Sequence, residues 1–329
     1  MSNNANPNSF GFRIVGACHN KRRLVEYWPA FVAYCLCDDR ARINEGGFLS
    51  PYEYATEIES RIVEPASMIL DVRGFKGVSC SRYLWFDIDD ADLDQGLDRC
   101  RRLVSCLLER YDLDDGDLLV FFSGSKGFHV GLPTSLWQPI ASKQFARGCR
   151  TMAESLGDSA GVSIDPAIYQ AVQPFRAPNS RHLKTGRYKR LVSIAELEEL
   201  NAEAIRQRAS SPLPFEPPDS PALHQQAVID WAKAEFAVAQ HAEVIRHFDA
   251  ERSELNRSTL EFIRDGAIPG DRHRLLYSSA ANLFEFGCPL ALASALLMES
   301  ALDSGLPPTE IRRAIDNAFT KQGPRPNDH

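Results

Sequence analysis

A proline-rich segment divides the sequence into two halves of different character. Residues 210–221, Ser-Ser-Pro-Leu-Pro-Phe-Glu-Pro-Pro-Asp-Ser-Pro, hold five prolines in twelve positions. Proline fixes the backbone angle φ and lacks an amide donor, so this run favours an extended linker over a helix or an inner strand. We therefore expect a disordered N-terminus at residues 1–9 and a mixed α and β domain at 10–208. A linker at 209–222 leads to a helical domain at 223–323, and a disordered tail follows at 324–329.

The first half combines strand and helix patterns. Aromatic and branched residues predict buried strands, and apolar residues at spacings of three and four predict helices. Two strands directly follow one another across a Gly-Ser turn, which predicts a hairpin. The predicted order is strand, helix, hairpin and helix, at 83–89, 93–111, 118–122 with 128–132, and 136–156. This order fits an α+β fold better than alternating parallel βαβ units.

The second half has helical periodicity almost throughout. Glycine and proline pairs separate its segments, as they do at helix ends. The predicted helices lie at 223–250, 254–265, 271–287, 289–304 and 308–320. They predict an all-α bundle.

Charge and cysteine content narrow the classes of function. The net charge of the 329-residue chain is -7, so contacts with nucleic acid would have to come from local basic patches. None of the eight cysteines belongs to a C-x2-C pair, which argues against a structural zinc site. No apolar run approaches 18 residues and the N-terminus lacks a signal-peptide pattern, so we expect a cytoplasmic protein with no membrane contact.

The first candidate for chemistry is the pair Asp87 and Asp89 in Phe-Asp-Ile-Asp. Residues two apart on a strand point to the same face, so the two carboxylates converge. Their neighbours are apolar, where charge is costly unless it is paired or binds a metal, and Mg²⁺ prefers carboxylate oxygen. The alternative is a solvated strand end, which the further acidic residues just beyond would suit.

The second candidate is Ser123-Gly-Ser-Lys-Gly-Phe-His129. Glycines allow backbone amides close to an anion, while Ser123, Ser125 and Lys126 add donors and positive charge. His129 follows on a strand, where it can donate to a phosphate oxygen or transfer a proton. The motif favours phosphate binding, although a Gly-Ser turn is also an ordinary hairpin.

The third candidate is Asp165, in Ser-Ile-Asp-Pro, followed by a basic segment. Residues 176–190 hold six Lys and Arg residues and no acid, in a chain that is acidic as a whole. Such a segment attracts a triphosphate or a nucleic-acid backbone. The alternative is a solvated basic loop.

Taken in order, these three motifs resemble the archaeo-eukaryotic primase superfamily, in particular its primase-polymerase branches and plasmid or phage replicative primases. The resemblance covers about residues 80–192. It implies a catalytic core of RRM-like strands, a helical domain after it, and two Mg²⁺ or Mn²⁺ ions with no zinc. By position it implies catalytic and metal-binding roles for Asp87, Asp89 and Asp165, a catalytic role for His129, and nucleotide contacts from Ser123, Ser125, Lys126, His129, Arg176 and Lys184.

The helical half resembles, more weakly, the C-terminal domains of plasmid and phage primases. Residues 223–329 carry 11 Lys and Arg against 15 Asp and Glu, which argues against a general electrostatic clamp. A focused contact with template or initiating nucleotide remains open, and its candidates are Arg264, Arg272, His273 and Arg274. These residues could equally cap or pair within the bundle.

The expected function is primer synthesis on single-stranded DNA from NTP or dNTP by two-metal nucleotidyl transfer, for plasmid, phage or mobile-element replication. A metal-dependent nuclease could use the same carboxylates but has little need for a triphosphate turn. A non-catalytic replication initiator would bind DNA without incorporating nucleotides. No G-x-x-x-x-G-K-[ST] loop occurs, so unwinding would need a separate helicase or initiator as partner.

Overall fold

Two antiparallel sheets organise the first part of the chain. The computed structural model describes residues 9–250 and 255–321. Contacts divide the chain into two units, Met1–Glu235 and Phe236–His329. Each has its own apolar core.

The strands are short except at the centre of the second sheet. In chain order they are β1 Phe10–Val15, β2 Arg22–Glu26, β3 Gly47–Leu49, β4 Glu53–Tyr54, β5 Ile62–Glu64, β6 Ile69–Leu70, β7 Ser79–Cys80, β8 Tyr83–Asp89, β9 Leu119–Phe122, β10 Gly127–Pro133, β11 Phe175–Arg176 and β12 Arg190–Leu191. The eight-stranded sheet has the order β11-β3-β1-β2-β6-β5, with β4 and β7 attached through β1. The four-stranded sheet has the order β12-β9-β10-β8.

Helices flank both sheets and make up the second unit. They are α1 Tyr27–Cys35, α2 Leu93–Tyr111, α3 Phe145–Ala160, α4 Ile194–Glu199, α5 Ala202–Arg208, α6 Gln225–Ala250, α7 Arg257–Asp265, α8 Arg272–Glu285, α9 Leu290–Asp303 and α10 Pro308–Lys321. The fold combines antiparallel sheets with helices, in agreement with the predicted α+β class.

The predicted strand, helix and hairpin of the first unit match β8, α2 and the β9–β10 pair. Helix α2 begins at an Asp92 side chain that accepts a hydrogen bond from the Asp94 amide, and its apolar stripe is buried. The predicted helix 136–156 begins later, at Phe145. Pro139 lacks an amide, Gln138 has a φ of 46°, and Ser142 bridges to β7, so residues 137–144 are not helical. That prediction was wrong at its N-terminal end.

The boundary between the two units falls within the sequence of helix α6. In its first half Trp231 packs on Phe145, with ring centroids 5.5 Å apart, and on Trp137 at 5.9 Å. The contact boundary between the units therefore lies within α6, after Glu235, whereas the sequence suggested a boundary in the proline-rich segment. Burial of a large aromatic side chain fixes this half of the helix to the first unit.

The proline-rich segment has no helix or strand. Its Leu213 amide donates to Asn179 Oδ1 over 2.9 Å, and the Phe215 amide donates to the carbonyl of Cys35 over 3.0 Å. The segment thus runs along the first unit as extended chain. Of the ends predicted to be disordered, only Ser9 lies within the described residues, where its hydroxyl donates to Glu53.

The second unit is a bundle in which α7, α8, α9 and α10 pack on one another. The five predicted helices of this half correspond to α6–α10. Asn256 caps α7 by accepting a bond from the Thr259 amide, and Gly266 ends that helix with a φ of 69°. No helix among residues 9–250 and 255–321 is long and apolar enough to cross a membrane.

Candidate functional site

Strand pairing brings Asp87 and His129 together. They are direct partners across β8 and β10, so their side chains share one face. His129 Nε2 lies 3.4 Å from Asp87 Oδ1. Asp89, two residues on, lies on the same face opposite Gly127. A Cβ at Gly127 would lie 2.4 Å from Asp89 Oδ1, so only glycine fits there without displacing the carboxylate.

The turn between β9 and β10 is fixed by its own serine. The Ser123 hydroxyl accepts a bond from the Gly127 amide over 3.2 Å, and Ser123 is buried. Ser125 is half-buried, and Lys126 extends into solvent to pair with Asp89, with Nζ 3.1 Å from Oδ2. This hydrogen bond raises the pKa of Lys126, which stays positively charged beside the carboxylates.

Asp165 joins the same region from a distant part of the sequence. Its amide donates to the main-chain carbonyl of Asp87 over 2.9 Å. Its side chain caps a short 3-10 helix by accepting a bond from the Ala167 amide. Burial raises the pKa of Asp165, and the charges of Asp87 and Asp89 raise it further. The three predicted carboxylates therefore influence one another electrostatically.

Asp87 is the most deeply buried of the three carboxylates. Burial raises its pKa to about 6, although the charges of Lys189 and Lys126 oppose the shift. Its Oδ1 is buried without a hydrogen-bond partner, although His129 Nε2 lies 3.4 Å away. The Nδ1 atom of His129 also lacks a partner, and burial holds the pKa of this ring well below its usual range. Buried polar atoms without partners are rare in folded proteins.

Lys189 lies beneath this centre, and the sequence did not single it out. Its side chain is fully buried, and Nζ lies 4.1 Å from the ring centroid of Phe175, 4.8 Å from Phe121 and 5.0 Å from Trp85. Nζ donates to the main-chain carbonyl of Arg176 over 2.9 Å. Burial lowers the pKa of this ammonium far below that of an exposed lysine. The sequence showed Lys189 only as one member of the basic segment. Its burial could not be predicted, because the aromatic rings around it come from separate strands.

The two predicted basic contacts differ in setting. The Arg176 guanidinium stacks 4.8 Å above the Phe48 ring, and burial lowers its pKa to about 10. Lys184 is exposed on a loop beside the turn, where the Thr185 hydroxyl donates to the Gly124 carbonyl over 2.5 Å. Arg176 acts electrostatically on His129, and Lys184 lies next to the serine and lysine turn.

The donor chemistry of the three carboxylates suits a hard divalent cation. Over residues 9–250 and 255–321, however, no group of three or more His, Cys, Asp or Glu side chains is arranged to hold a metal ion. Asp89 points to Lys126 and Asp165 points to Ala167. The partnerless Oδ1 of Asp87 and the mutual repulsion of the carboxylates are the features that a cation would relieve.

In the second unit, the predicted contacts have partners within the bundle. Arg272 donates to the Gly305 carbonyl over 3.1 Å, just beyond the end of α9. Arg264 pairs with the adjacent Asp265 at 2.9 Å. A cation near the last carbonyls of a helix stabilises that helix end.

The other two candidates form exposed ion pairs. Arg274 pairs with Asp271 at 3.0 Å, and His273 Nε2 lies 3.4 Å from Glu310. Exposed pairs of this kind contribute at most about 1 kcal/mol each. The structure thus gives all four residues of this cluster a local partner.

No protein-family model and no curated protein matches this sequence. A solved structure described as the primase RepB' is 12% identical, with 95% of this chain and 89% of that chain covered and a TM-score of 0.34. Backbones that superpose this loosely are not shown to share a fold. The likeness to archaeo-eukaryotic primases stays a prediction from the sequence motifs.

Proposed function

We propose that the first unit is the catalytic domain of a DNA primase or primase-polymerase, a nucleotidyltransferase that builds primers on single-stranded DNA. One observation carries the proposal. Three motifs far apart in sequence supply Asp87, His129 and Asp165 to one location, and a buried oxygen of Asp87 has no partner there. Perturbed polar groups gathered in this way are typical of catalytic sites.

In this proposal Asp87, Asp89 and Asp165 hold two Mg²⁺ or Mn²⁺ ions, and zinc has no role. Bound there, such ions lower the pKa of the attacking 3′-hydroxyl and neutralise charge on the triphosphate. The carboxylates supply the oxygen ligands and their fixed position on β8 and the adjoining loop. Lys126 exchanges its pairing with Asp89 for a phosphate oxygen of the nucleotide.

His129 is assigned to the triphosphate. Its depressed pKa keeps the ring neutral, so one ring nitrogen donates and the other accepts. A neutral donor can bind a phosphate oxygen without repelling the nearby cations. Ser123 and Ser125 complete the turn that approaches the phosphates, and Arg176 and Lys184 add positive charge around it.

The remaining parts of the proposal concern layout and partners. The run β8, α2, β9, β10 and α3 forms the RRM-like core, and residues 223–323 form a module that contacts template or initiating nucleotide. Template DNA and NTP or dNTP are the substrates, and a separate helicase or initiator supplies unwinding. The setting is the cytoplasm, and the replicon is a plasmid, phage or other mobile element.

The test is primer synthesis without a primer. The full chain is incubated with unprimed single-stranded DNA, Mg²⁺ or Mn²⁺, and labelled nucleotides of either sugar, and the products are sized. We expect short products that disappear in Asp89→Asn. Asp98→Asn is the matched control, since Asp98 is an exposed carboxylate on α2 paired with Arg102.

Each contrary outcome points to a different class of protein. Degradation of the DNA without synthesis would indicate a nuclease. DNA binding without incorporation by the folded chain, with either metal and either sugar, would indicate a non-catalytic initiator.

A further inference from the structure

Two arginines, Arg22 and Arg176, lie on one face of the eight-stranded sheet. Phe48 on β3 is the direct partner of Ile14 on β1 and of Arg176 on β11. Partners across antiparallel strands point to the same side of a sheet. Arg176, Phe48 and Ile14 therefore share one face.

Arg22 on β2 lies on that face too. Its neighbour Arg23 is the partner of Arg13 on β1, so Arg22 points to the opposite side, as Ile14 and Phe12 do. The Arg22 guanidinium lies 5.3 Å above the Phe12 ring, which confirms this orientation. The face thus carries one arginine at β11 and another at β2, each stacked on a phenylalanine.

Both guanidiniums are positioned over an aromatic ring and are not paired with a carboxylate among the described residues. Within residues 9–250 and 255–321, neither Arg22 nor Arg176 forms an ion pair with a carboxylate, and the Nε of Arg22 is buried with no hydrogen-bond partner. Several other arginines of this unit either pair with a carboxylate, as Arg208 does with Glu196, or donate to main-chain carbonyls, as Arg101 does. A partly desolvated guanidinium fixed on an aromatic ring loses little entropy when it binds phosphate.

The pair leads away from the candidate active centre. Arg176 acts electrostatically on His129, and β11, β3, β1 and β2 are consecutive in the sheet. Three strand spacings of about 4.8 Å place the two arginine backbones about 14 Å apart. The pair therefore suits an extended polyanion better than a single phosphate group.

We propose that Arg22 and Arg176 bind backbone phosphates of a single-stranded DNA template that passes over the two guanidiniums toward the carboxylates. The inference rests on the proposed function in that the strand is its template, and it assigns a role to Arg22, which the sequence motifs leave without one. A chain with a net charge of -7 needs such local positive sites to hold a polyanion. Phe12 is fully buried and lies beneath Arg22, so the DNA strand would meet the guanidiniums and not an aromatic surface.

The test measures DNA binding apart from catalysis. Fluorescence anisotropy follows binding of a labelled oligothymidylate to the full chain in EDTA, without nucleotide, over a range of salt concentrations. Arg22→Gln keeps the aliphatic stem over Phe12 and removes the charge. We expect it to raise Kd about tenfold, the effect of one lost charged hydrogen bond, and to reduce the salt slope by about 0.7.

Arg23→Gln is the matched control, because it removes the same charge from the same strand on the opposite face. It should bind the oligonucleotide as the wild type does. Arg22→Ala provides a second neutral variant, and thermal unfolding of each variant shows whether it is folded. Nucleotide affinity, measured separately with Mn²⁺ present, should be unchanged by Arg22→Gln.

Three results would overturn the inference: no oligonucleotide binding by the wild type at any salt, equal binding by folded Arg22 and Arg23 variants, or a loss confined to nucleotide binding. Failure of the proposed function looks different. If the wild type synthesises no primer but Arg22→Gln still weakens DNA binding, the DNA-binding site is present and the proposed enzymatic activity is absent.

Discussion

The polar centre of the first unit and the basic cluster of the second unit are both dense in charge, but they differ in how that charge is satisfied. At the centre, Asp87 Oδ1 and His129 Nδ1 are buried without partners. In the bundle, Arg272 donates to the Gly305 carbonyl and Arg274 pairs with Asp271. An unmet buried polar atom costs about 1–3 kcal/mol, whereas an exposed pair costs almost nothing to maintain.

Buried polar atoms without partners indicate a site that binds a ligand. Charged residues with partners inside the protein contribute to the stability of the fold. A sequence motif cannot make the distinction, since both clusters read as strings of charged residues. A second comparison lies within the first unit. The Asp230 carboxylate accepts bonds from Arg110, Tyr111 and Gln226, while Asp87 accepts none at Oδ1. We expect residues whose polar atoms all have partners, such as Asp230, to govern stability. Residues with an unpaired buried polar atom, such as Asp87, should govern activity.

The largest effect that would test this comparison is on His129. In His129→Ala, we expect nucleotide incorporation to fall at least about 100-fold, because a positioned donor and proton carrier is lost. Single-stranded DNA binding should not change. His19→Ala, at an exposed histidine, serves as control. If both variants incorporate nucleotide at the wild-type rate, the turn is only a hairpin.

Lys189→Met should separate activity from stability. We expect incorporation to fall about tenfold, since the buried positive charge acts on Asp87 and its Nζ holds the Arg176 carbonyl. The free energy of unfolding, measured in urea, should fall by no more than about 1–3 kcal/mol, because Met loses the donor to the Arg176 carbonyl but keeps an apolar stem among the aromatic rings. Loss of stability with full specific activity would make Lys189 a structural residue.

Asp230→Asn should have the reverse profile. Burial raises the pKa of Asp230, but hydrogen bonds from Arg110, Tyr111 and Gln226 outweigh it, so the net shift is downward. A depressed carboxyl pKa stabilises the fold above the unfolded value near 3.9, and that contribution disappears as pH falls through the folded pKa. We expect a loss of about 1–2 kcal/mol at pH 7.

Urea unfolding as a function of pH checks this prediction. The difference in stability between wild type and Asp230→Asn should shrink as the solution is acidified below about pH 4. Incorporation by the folded variant should be normal. A difference that stays constant with pH would mean that the carboxylate charge does not stabilise this contact.

The smallest effects should come from the basic cluster of the second unit. Arg272→Ala should destabilise the bundle by about 1 kcal/mol, because carbonyls beyond the end of α9 lose a charged donor. Arg274→Ala should change stability by less than about 0.5 kcal/mol. Neither should alter extension of an existing primer. A large loss of extension in Arg274→Ala would mean that the pair with Asp271 opens to bind template.

Local patterns were sufficient to predict much of the fold. The long strand β8, the helix α2 and the helices of the second half follow from strong periodicity and well-placed glycine and proline breaks. No strand of the eight-stranded sheet was predicted, and most of these strands are only two or three residues long. Such strands exist through pairing with distant segments, and their sequences carry no period of their own.

The sequence predicted which residues lie together at the candidate site. It did not predict which of their buried polar atoms lack hydrogen-bond partners. Spacing in the sequence suggested that Asp87 and Asp89 share one face of a strand. The pairing of β8 with β10 adds His129 to that face. The burial of Lys189 and the lack of a hydrogen-bond partner at the buried Nε of Arg22 depend on side chains from separate strands, so no local motif signals them. Partners of Arg272 were equally invisible, since Gly305 is remote in sequence.

The account depends most directly on whether Asp87 binds a divalent cation. Electron paramagnetic resonance can titrate Mn²⁺ into the full chain without nucleotide, with Asp87→Asn and the exposed control Asp98→Asn measured in parallel. We predict that wild type and Asp98→Asn bind Mn²⁺ alike and that Asp87→Asn binds at least about tenfold more weakly, as expected for loss of a ligand. Equal Mn²⁺ affinity in folded Asp87→Asn and wild type would contradict a metal-dependent centre at these carboxylates.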